Sequence, residues 1–210
     1  MSLGSFSAPE NEQKRSFASF LNVKELNVNK YPRTNNLPIN LELSQFRCIF
    51  APDNSLKQQD MAYNALDIAK KIVCRTDVEH GDSLTNLKLQ KLLYFMQGFH
   101  LAFFGVPFFN EPIEAWTYGP VVPVVFQEFK KFKKRDISPD SYSDNLVLTA
   151  DEQQMFDMVY QEYNQFSAVT LMNMTHTEGP WKNHDIGDEI SNEEMRDFFL
   201  TQIERDDKQN

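Results

Sequence analysis

The sequence predicts a mainly α fold, an irregular bundle of about six helices with a small, partly β N-terminal extension. Two observations lead to this class. From residue 58 onward, apolar side chains recur at helical spacing between recognisable capping residues. Residues 1–57 are instead rich in Asn and Ser and are interrupted by Pro32, Pro38 and Pro52. We therefore expect an N-terminal extension over 1–57 and a helical domain over 58–205.

The extension carries weaker patterns of its own. Residues 11–21 fit a short amphipathic helix. Residues 37–50 alternate apolar side chains, with one change of parity that indicates a strand with a bulge. Residues 26–29 and the turn-forming residues that follow them supply a strand partner. We predict a short helix and a β-hairpin here.

The helical domain has clear start and stop signals. A helical pattern includes Tyr63 and ends near Arg75. The next helix runs from Asn86 to about Phe103, between a Thr85 cap and a Gly105 stop, and should form the centre of the core. Residues 106–118 read as loop or short extended structure, with Pro120 opening the next helix. The remaining predicted helices are 121–134, 150–165, 168–175 and one that starts at the capping-box pair Ser191 and Glu194.

Composition supports a folded protein with an aromatic core. Of 210 residues, 41% are hydrophobic, including 18 Phe, which provides enough burial to offset the entropy lost on folding. The two cysteines, Cys48 and Cys74, form no Cys-x-x-Cys motif, as expected in a reducing compartment. No apolar run is long enough to span a membrane and no signal segment opens the chain. We expect a cytoplasmic protein without a membrane partner.

Charge is distributed unevenly. Residues 136–210 contain four basic and 17 acidic residues, a net charge of −13, whereas 1–57 and 58–135 each carry +2. Acidic surfaces repel phosphate backbones, so a nucleic-acid partner is not expected. The run from Lys130 to Arg135 is basic, and it fits the C-terminal end of a helix, where cations complement the dipole. An alternative is that this run lets the protein bind DNA and regulate its own gene.

No motif in the sequence indicates catalysis. The four histidines lack the spacing of a metal site, and there is no phosphate-binding glycine loop or nucleophile elbow. We therefore expect no metal, no cofactor and no enzymatic activity.

Several polar residues stand inside apolar sequence. Lys91 lies in the central helix and Glu114 directly precedes Ala115 and Trp116. Because a carboxylate in an apolar run needs a partner, we predict a partly buried ion pair between Lys91 and Glu114 that joins the loop to the helix. A role in partner recognition is the alternative. A less favoured alternative is an enzyme that uses Glu114, Lys91 and His176.

The aromatic residues near these positions have structural interpretations. His176, close to Trp181 in sequence, is interpreted as a hydrogen-bonded histidine that anchors a loop. Trp116 and Trp181 are predicted to anchor the core. Each indole N–H then needs an acceptor.

Four sequence blocks together resemble a known family. They are Leu-Gln-Lys-Leu-Leu-Tyr at 89–94, the segment 109–116 that ends in Glu-Ala-Trp, Tyr-Gly-Pro-Val-Val at 118–122, and Leu171 with Thr175-His176 and Pro180-Trp181. In these blocks the chain resembles the Panacea, or SocA-like, domain of prophage-associated proteins and antitoxins, over about 58–200. The residues at the family's characteristic positions, which we take as candidates for partner binding, are Lys91, Tyr94, Glu114, Trp116, Gly119, Pro120, His176 and Trp181.

The resemblance implies a mostly helical fold and a role in binding another protein. The favoured hypothesis is an antitoxin that binds and neutralises a co-encoded toxin. The alternative is an adaptor that delivers a partner to a protease. The extension at 1–57 lies outside the resemblance, and we predict that its strands pair with a partner by strand addition.

Overall fold

The computed structural model describes residues 62–78 and 81–204. The short helix and hairpin predicted within 1–57 lie outside these residues, as does Cys48. The mainly helical class predicted from the sequence is confirmed in the described part of the chain.

The described residues contain seven α-helices and three short strands. The helices are α1 Ala65–Arg75, α2 Asn86–Phe104, α3 Pro123–Phe129, α4 Ala150–Asn164, α5 Ala168–Thr177, α6 Gly179–Lys182 and α7 Asn192–Glu204. The strands are β1 Ile113–Trp116, β2 Gly119–Val121 and β3 Glu189–Ile190. Short 3₁₀ turns occupy Lys130–Phe132 and Pro139–Ser141.

Helix α2 is the centre of the fold, as the sequence predicted. It packs against α7, α4, α5 and α1 and also contacts β2. Its buried residues lie on every side of the helix and include the polar Gln90, Lys91 and Gln97. Polar groups buried in this way must find partners inside the protein.

The predicted capping residues act as expected at several helix ends. Thr85 Oγ1 accepts the Lys88 N–H at 3.3 Å at the start of α2, and Gly105 ends that helix in the left-handed conformation, with φ of 74°. At Ser191 only half of the predicted capping box forms. Ser191 Oγ accepts the Glu194 N–H at 3.2 Å, but the Glu194 carboxylate lies 3.3 Å from His184 Nε2.

The three strands form an antiparallel sheet in the order β2-β1-β3. β1 and β2 are a hairpin, in which Ala115 lies opposite Pro120 and Trp116 lies opposite Gly119. This hairpin is the short extended structure predicted within 106–118, continued through the Gly-Pro pair. β3 was not predicted, because a two-residue strand carries no periodicity.

The prediction that Pro120 opens a helix at 121 is wrong. Pro120 belongs to β2, and the helix begins at Pro123, whose fixed φ suits the first helical position. The α-helix ends at Phe129 and a 3₁₀ turn continues to Phe132. Lys133 then adopts a positive φ of 56°, which the predicted helix to 134 could not contain.

The core is rich in aromatic side chains, as predicted. The rings of Tyr94, Phe95 and Phe99 on α2 all contact the ring of Phe199 on α7. Gly98 makes this close packing possible, because a Cβ at that position would collide with the Phe199 ring. The absence of a side chain at Gly98 therefore allows α2 and α7 to approach each other closely.

Across the described residues, no helix combines the length and the apolar character needed to cross a bilayer.

Candidate functional site

Lys91 attaches the β1–β2 hairpin to helix α2. Its side chain is fully enclosed, at 0% exposure, and its Nζ donates to the carbonyl oxygen of Pro120 at 2.7 Å. Burial lowers the pKa of Lys91 to about 7, because the charged form loses its hydration. The lysine is thus a buried hydrogen-bond donor between the helix and the hairpin.

Gly119 is required where the hairpin meets Lys91. Its φ is 95°, a conformation that L side chains rarely adopt. A Cβ there would also lie only 2.7 Å from both Lys91 Nζ and Thr175 Oγ1. The family-motif residues Lys91, Gly119 and Pro120 are therefore parts of one contact, with Thr175 of α5 on its other side.

The predicted ion pair between Lys91 and Glu114 is wrong. Among the described residues no salt bridge joins them, and Glu114 Oε2 instead accepts the indole N–H of Trp116 at 2.8 Å. Side chains alternate along β1, so Ile113 and Ala115 are buried in the core while Glu114 and Trp116 share the other face. The carboxylate is therefore satisfied on its own face of the strand.

Two glutamines that the sequence interpretation missed hold the adjoining backbone. Gln90 Oε1 accepts the Val122 N–H at 2.9 Å. Gln97 Oε1 accepts the N–H groups of Phe108 and Phe109 at 2.9 and 3.1 Å, and its Nε2 donates to Phe109 O at 3.1 Å. The available signal was a pair of amide side chains in the predicted core helix, since buried amides must be paired.

The two tryptophans connect the hairpin to α6. Trp181 Nε1 donates to the backbone oxygen of Trp116 at 2.9 Å. Trp116 packs edge-to-face against Phe126 of α3 at 5.0 Å between ring centroids. Both indoles have the acceptors that their burial requires, as predicted, but both side chains are only half-buried at the edge of the core.

His176 stacks on Trp181 and does not hydrogen-bond through its enclosed Nε2. The ring centroids are 4.0 Å apart, with 15° between the planes. Within the described residues Nε2 has no hydrogen-bond partner, so stacking fixes the ring where a hydrogen bond was predicted. Burial, with a smaller effect of Lys91, lowers the pKa of His176.

Tyr94 and Glu178 meet on the inner side of this region. The Tyr94 hydroxyl and Glu178 Oε2 are both enclosed, and neither atom has a hydrogen-bond partner of full geometry in the described structure. The two groups are nevertheless close enough to influence each other's pKa. Burial raises the pKa of Glu178 to about 8, and Tyr94 offsets part of that increase. Burial and the nearby Glu178 raise the pKa of Tyr94. Glu178 was not selected from the sequence, because only the tertiary structure encloses it.

The structure brings most of the eight candidate residues into one region and separates Glu114 from Lys91. Lys91, Tyr94, Gly119 and Pro120 lie on its inner side. Trp116, His176 and Trp181 lie nearer the surface.

An enzyme using Glu114, Lys91 and His176 would need them to converge in an open pocket. Lys91 is enclosed and Glu114 is held by Trp116, so this arrangement fixes a hairpin and presents no common reaction site. No group of three or more His, Cys, Asp or Glu suited to a metal ion occurs in the described residues.

The fold and these motifs occur together in one known class of protein domain. Residues 89–182 match the family described as antitoxin SocA-like, Panacea domain, which confirms the resemblance seen in the sequence blocks. The matched segment begins in α2, includes the hairpin and ends with α6. It therefore contains all eight candidate residues.

A particular relative is antitoxin SocA of Caulobacter vibrioides (strain NA1000 / CB15N). The chain is 35% identical to it over an alignment of 109 residues, and the match covers 47% of this chain and 58% of the relative. The chain therefore spans less than two thirds of that protein's length. No solved structure matches the chain.

Proposed function

We propose that this protein is an antitoxin-type protein that binds and neutralises a co-encoded bacterial toxin and catalyses no reaction of its own. The single observation that carries the proposal is that the segment matching the antitoxin SocA-like family, residues 89–182, holds a hairpin against α2 through buried side chains. Lys91 and Gln90 bond to its backbone at Pro120 O and Val122 N. A preorganised surface loses less entropy on binding a partner.

The charge of the domain supports a basic partner. Of residues 136–204, 15 are acidic and two are basic, and acidic side chains at Asp151, Asp185 and Glu193 are exposed. An acidic surface accelerates association with a basic protein and orients the encounter. The same charge disfavours binding to nucleic acid.

The basic run at 130–135 gives little support to DNA binding. Lys130 Nζ donates to Gln127 Oε1 at 2.6 Å, and Lys131 Nζ lies 2.9 Å from Glu128 Oε1. These contacts lie beside the end of α3, which agrees with the structural interpretation of the run.

Co-expression tests the proposed function directly. The product of the short reading frame next to this gene is expressed alone and together with the full chain. Growth arrest in the first case and growth in the second is the expected result. A neighbouring product that remains toxic in the presence of this chain would contradict the proposal.

The same strains separate masking of the toxin from delivery to a protease. Masking predicts a stable complex with the toxin at an undiminished level. Faster loss of the toxin, abolished when the host protease is deleted, would identify an adaptor. Removing residues 1–57 tests the extension, since unchanged neutralisation would refute its proposed role in strand addition.

A further inference from the structure

Two large apolar side chains are exposed at one end of the sheet. Tyr118, in the turn between β1 and β2, is 65% exposed, and Ile186, just before β3, is 60% exposed. The neighbouring Gly187 N–H donates to Ala115 O at 2.7 Å, which places the Ile186 segment alongside the end of β1. The two side chains therefore flank the same end of the central strand.

The backbone that carries Tyr118 is held in place from several sides. Lys91 bonds to Pro120 O at 2.7 Å and Trp181 bonds to Trp116 O at 2.9 Å. Gly119 provides the positive φ that the turn needs. Fixed aromatic side chains of this kind are typical binding hot spots, since little freedom is lost when they are covered.

Carboxylates surround this end of the sheet without cationic partners. Glu114 lies directly opposite Glu189 across β1 and β3, a like-charge pairing that disfavours the sheet. Asp185 and Asp188 lie in the turn just before β3 and are exposed. In the described part of the chain, none of these four carboxylates forms a salt bridge. Lysine or arginine side chains of a bound protein would relieve this repulsion.

We infer that this end of the sheet, centred on Tyr118 and Ile186 and bordered by Glu189 and Asp185, is the docking face for the protein partner. The partner offers an apolar pocket bordered by lysine or arginine side chains. The inference rests on the proposed function and adds to it the location and chemistry of the contact. Apolar insertion provides the affinity, and the acidic border provides orientation and speed of association.

The test uses the full chain and the purified product of the adjacent reading frame. Dissociation constants are measured by calorimetry for the wild type and for Tyr118→Ser, Ile186→Ser and Glu189→Lys. We expect Tyr118→Ser to weaken binding about 30-fold, as for a hot-spot residue. Glu189→Lys should weaken it about tenfold, mainly through slower association whose dependence on salt is weaker than that of the wild type.

Two matched controls lie elsewhere on the surface. Val147, which precedes α4, is 85% exposed, and Val147→Ser therefore removes an apolar side chain that is still more exposed than Tyr118 or Ile186. Its segment is held in place, because Leu146 O accepts a hydrogen bond from Lys71. Asp140→Lys reverses an exposed charge in the second 3₁₀ turn. Both variants should bind like the wild type. Far-UV circular dichroism verifies that every variant is folded.

The outcomes separate the docking face from the proposed function. If the wild type binds and Tyr118→Ser, Ile186→Ser and Glu189→Lys bind equally well, the docking face is wrong and the antitoxin role stands. If the wild type neither binds nor neutralises the product, both proposals fail. If Tyr118→Ser abolishes self-association of the chain while leaving partner affinity unchanged, the face contacts a second copy and the inference is overturned.

Discussion

Lys91 Nζ donates to Pro120 O at 2.7 Å from a side chain that is completely enclosed. Pro120 has no N–H to offer the sheet and lies on β2, an edge strand, where proline is tolerated. Its carbonyl oxygen is therefore available to the lysine, and this bond helps to join the hairpin to the centre of the core.

Replacing Lys91 by Met should remove a pH dependence of stability. The unfolded lysine holds its proton up to about pH 10.5, whereas the folded lysine releases it near pH 7. The unfolded state therefore binds one more proton between these values, and wild-type stability rises with pH there. Relative to Lys91→Met, the slope should reach about 1.4 kcal/mol per pH unit. Urea unfolding at pH 7, 8, 9 and 10 measures it.

A surface lysine provides the control. Lys70→Met removes a partly exposed amine that pairs with Asp67 on α1 and should leave the slope unchanged. Hydrogen exchange at Val121 and Val122 should accelerate in Lys91→Met, since the hairpin loses a bond to α2. Equal slopes for the wild type and Lys91→Met would show that the amine is hydrated.

Glu178 should impose the opposite dependence on pH. Its folded carboxyl holds a proton up to about pH 8, while an unfolded glutamate loses it near 4.5. The folded state binds more protons in this window, so wild-type stability falls as pH rises from about 4.5 to 8. Glu178→Gln should remove this loss, on the order of a few kcal/mol at pH 8. Denaturant unfolding across this range tests it, with the exposed Glu193→Gln as the matched control. A wild-type curve that parallels Glu178→Gln would contradict an enclosed carboxyl.

Adding one methyl group at Gly98 should destabilise the protein. The new Cβ would collide with Phe199, whose ring is buried among Tyr94, Phe95 and Phe99. Overpacking of this kind costs about 1–3 kcal/mol, and the better helix propensity of Ala, about 1 kcal/mol, offsets only part. Thermal and urea unfolding of Gly98→Ala should show the net loss.

A second substitution tests whether the collision is the cause. Phe199→Leu removes the ring atoms that the new Cβ would meet. The cost of Gly98→Ala should therefore be smaller in the Phe199→Leu background than in the wild type. Strict additivity of the two changes would place the destabilisation elsewhere.

The network around Glu152 should control stability at low pH. Glu152 Oε2 accepts from Tyr63 Oη at 2.7 Å and from the Thr149 N–H at 2.9 Å, while His100 Nε2 lies 3.6 Å from Oε1. Burial by itself would raise the pKa of Glu152, but the influence of His100, Thr149 and Tyr63 outweighs it and lowers the pKa to about 2.

Glu152→Gln should consequently lose stability above pH 4.5. A carboxylate with a lowered folded pKa stabilises the fold above its unfolded pKa, and this contribution disappears as pH falls from about 4.5 to 2. Because Glu152 is partly exposed and solvent screens its charge, we expect a reduced deficit of roughly 2 kcal/mol at pH 6 that vanishes near pH 2. Glu128→Gln, in an exposed pair with Lys131, should cost less than about 0.5 kcal/mol. A deficit that persists to pH 2 would contradict the charge-based explanation.

Features that depend on a few neighbouring residues were predictable. The cap at Thr85 and the stop at Gly105 were recognised because a hydroxyl cap and a left-handed glycine act within one turn of their own helix. Pro120 was misassigned because a Gly-Pro pair fits both a turn and a helix start. The choice between them depended on pairing with β1.

The partners of buried polar groups could not be predicted in the same way. Lys91 and Glu114 were both recognised as needing partners, yet the alternation of β1 directs Glu114 to Trp116, while Lys91 meets a backbone carbonyl. Glu178 looked ordinary in the sequence, and its raised pKa arises from enclosure by residues distant along the chain.

The sequence by itself determined the helical class, the central position of α2 and the motif blocks that match the antitoxin-like family. These follow from periodicity, capping and residue identity at short spacing. Only the tertiary structure decided that Lys91 bonds to Pro120, and that Tyr118 and Ile186 emerge together beside carboxylates that form no salt bridge within the described residues. Such relationships depend on how distant segments pack, because burial and pairing are properties of the assembled core and not of any local segment.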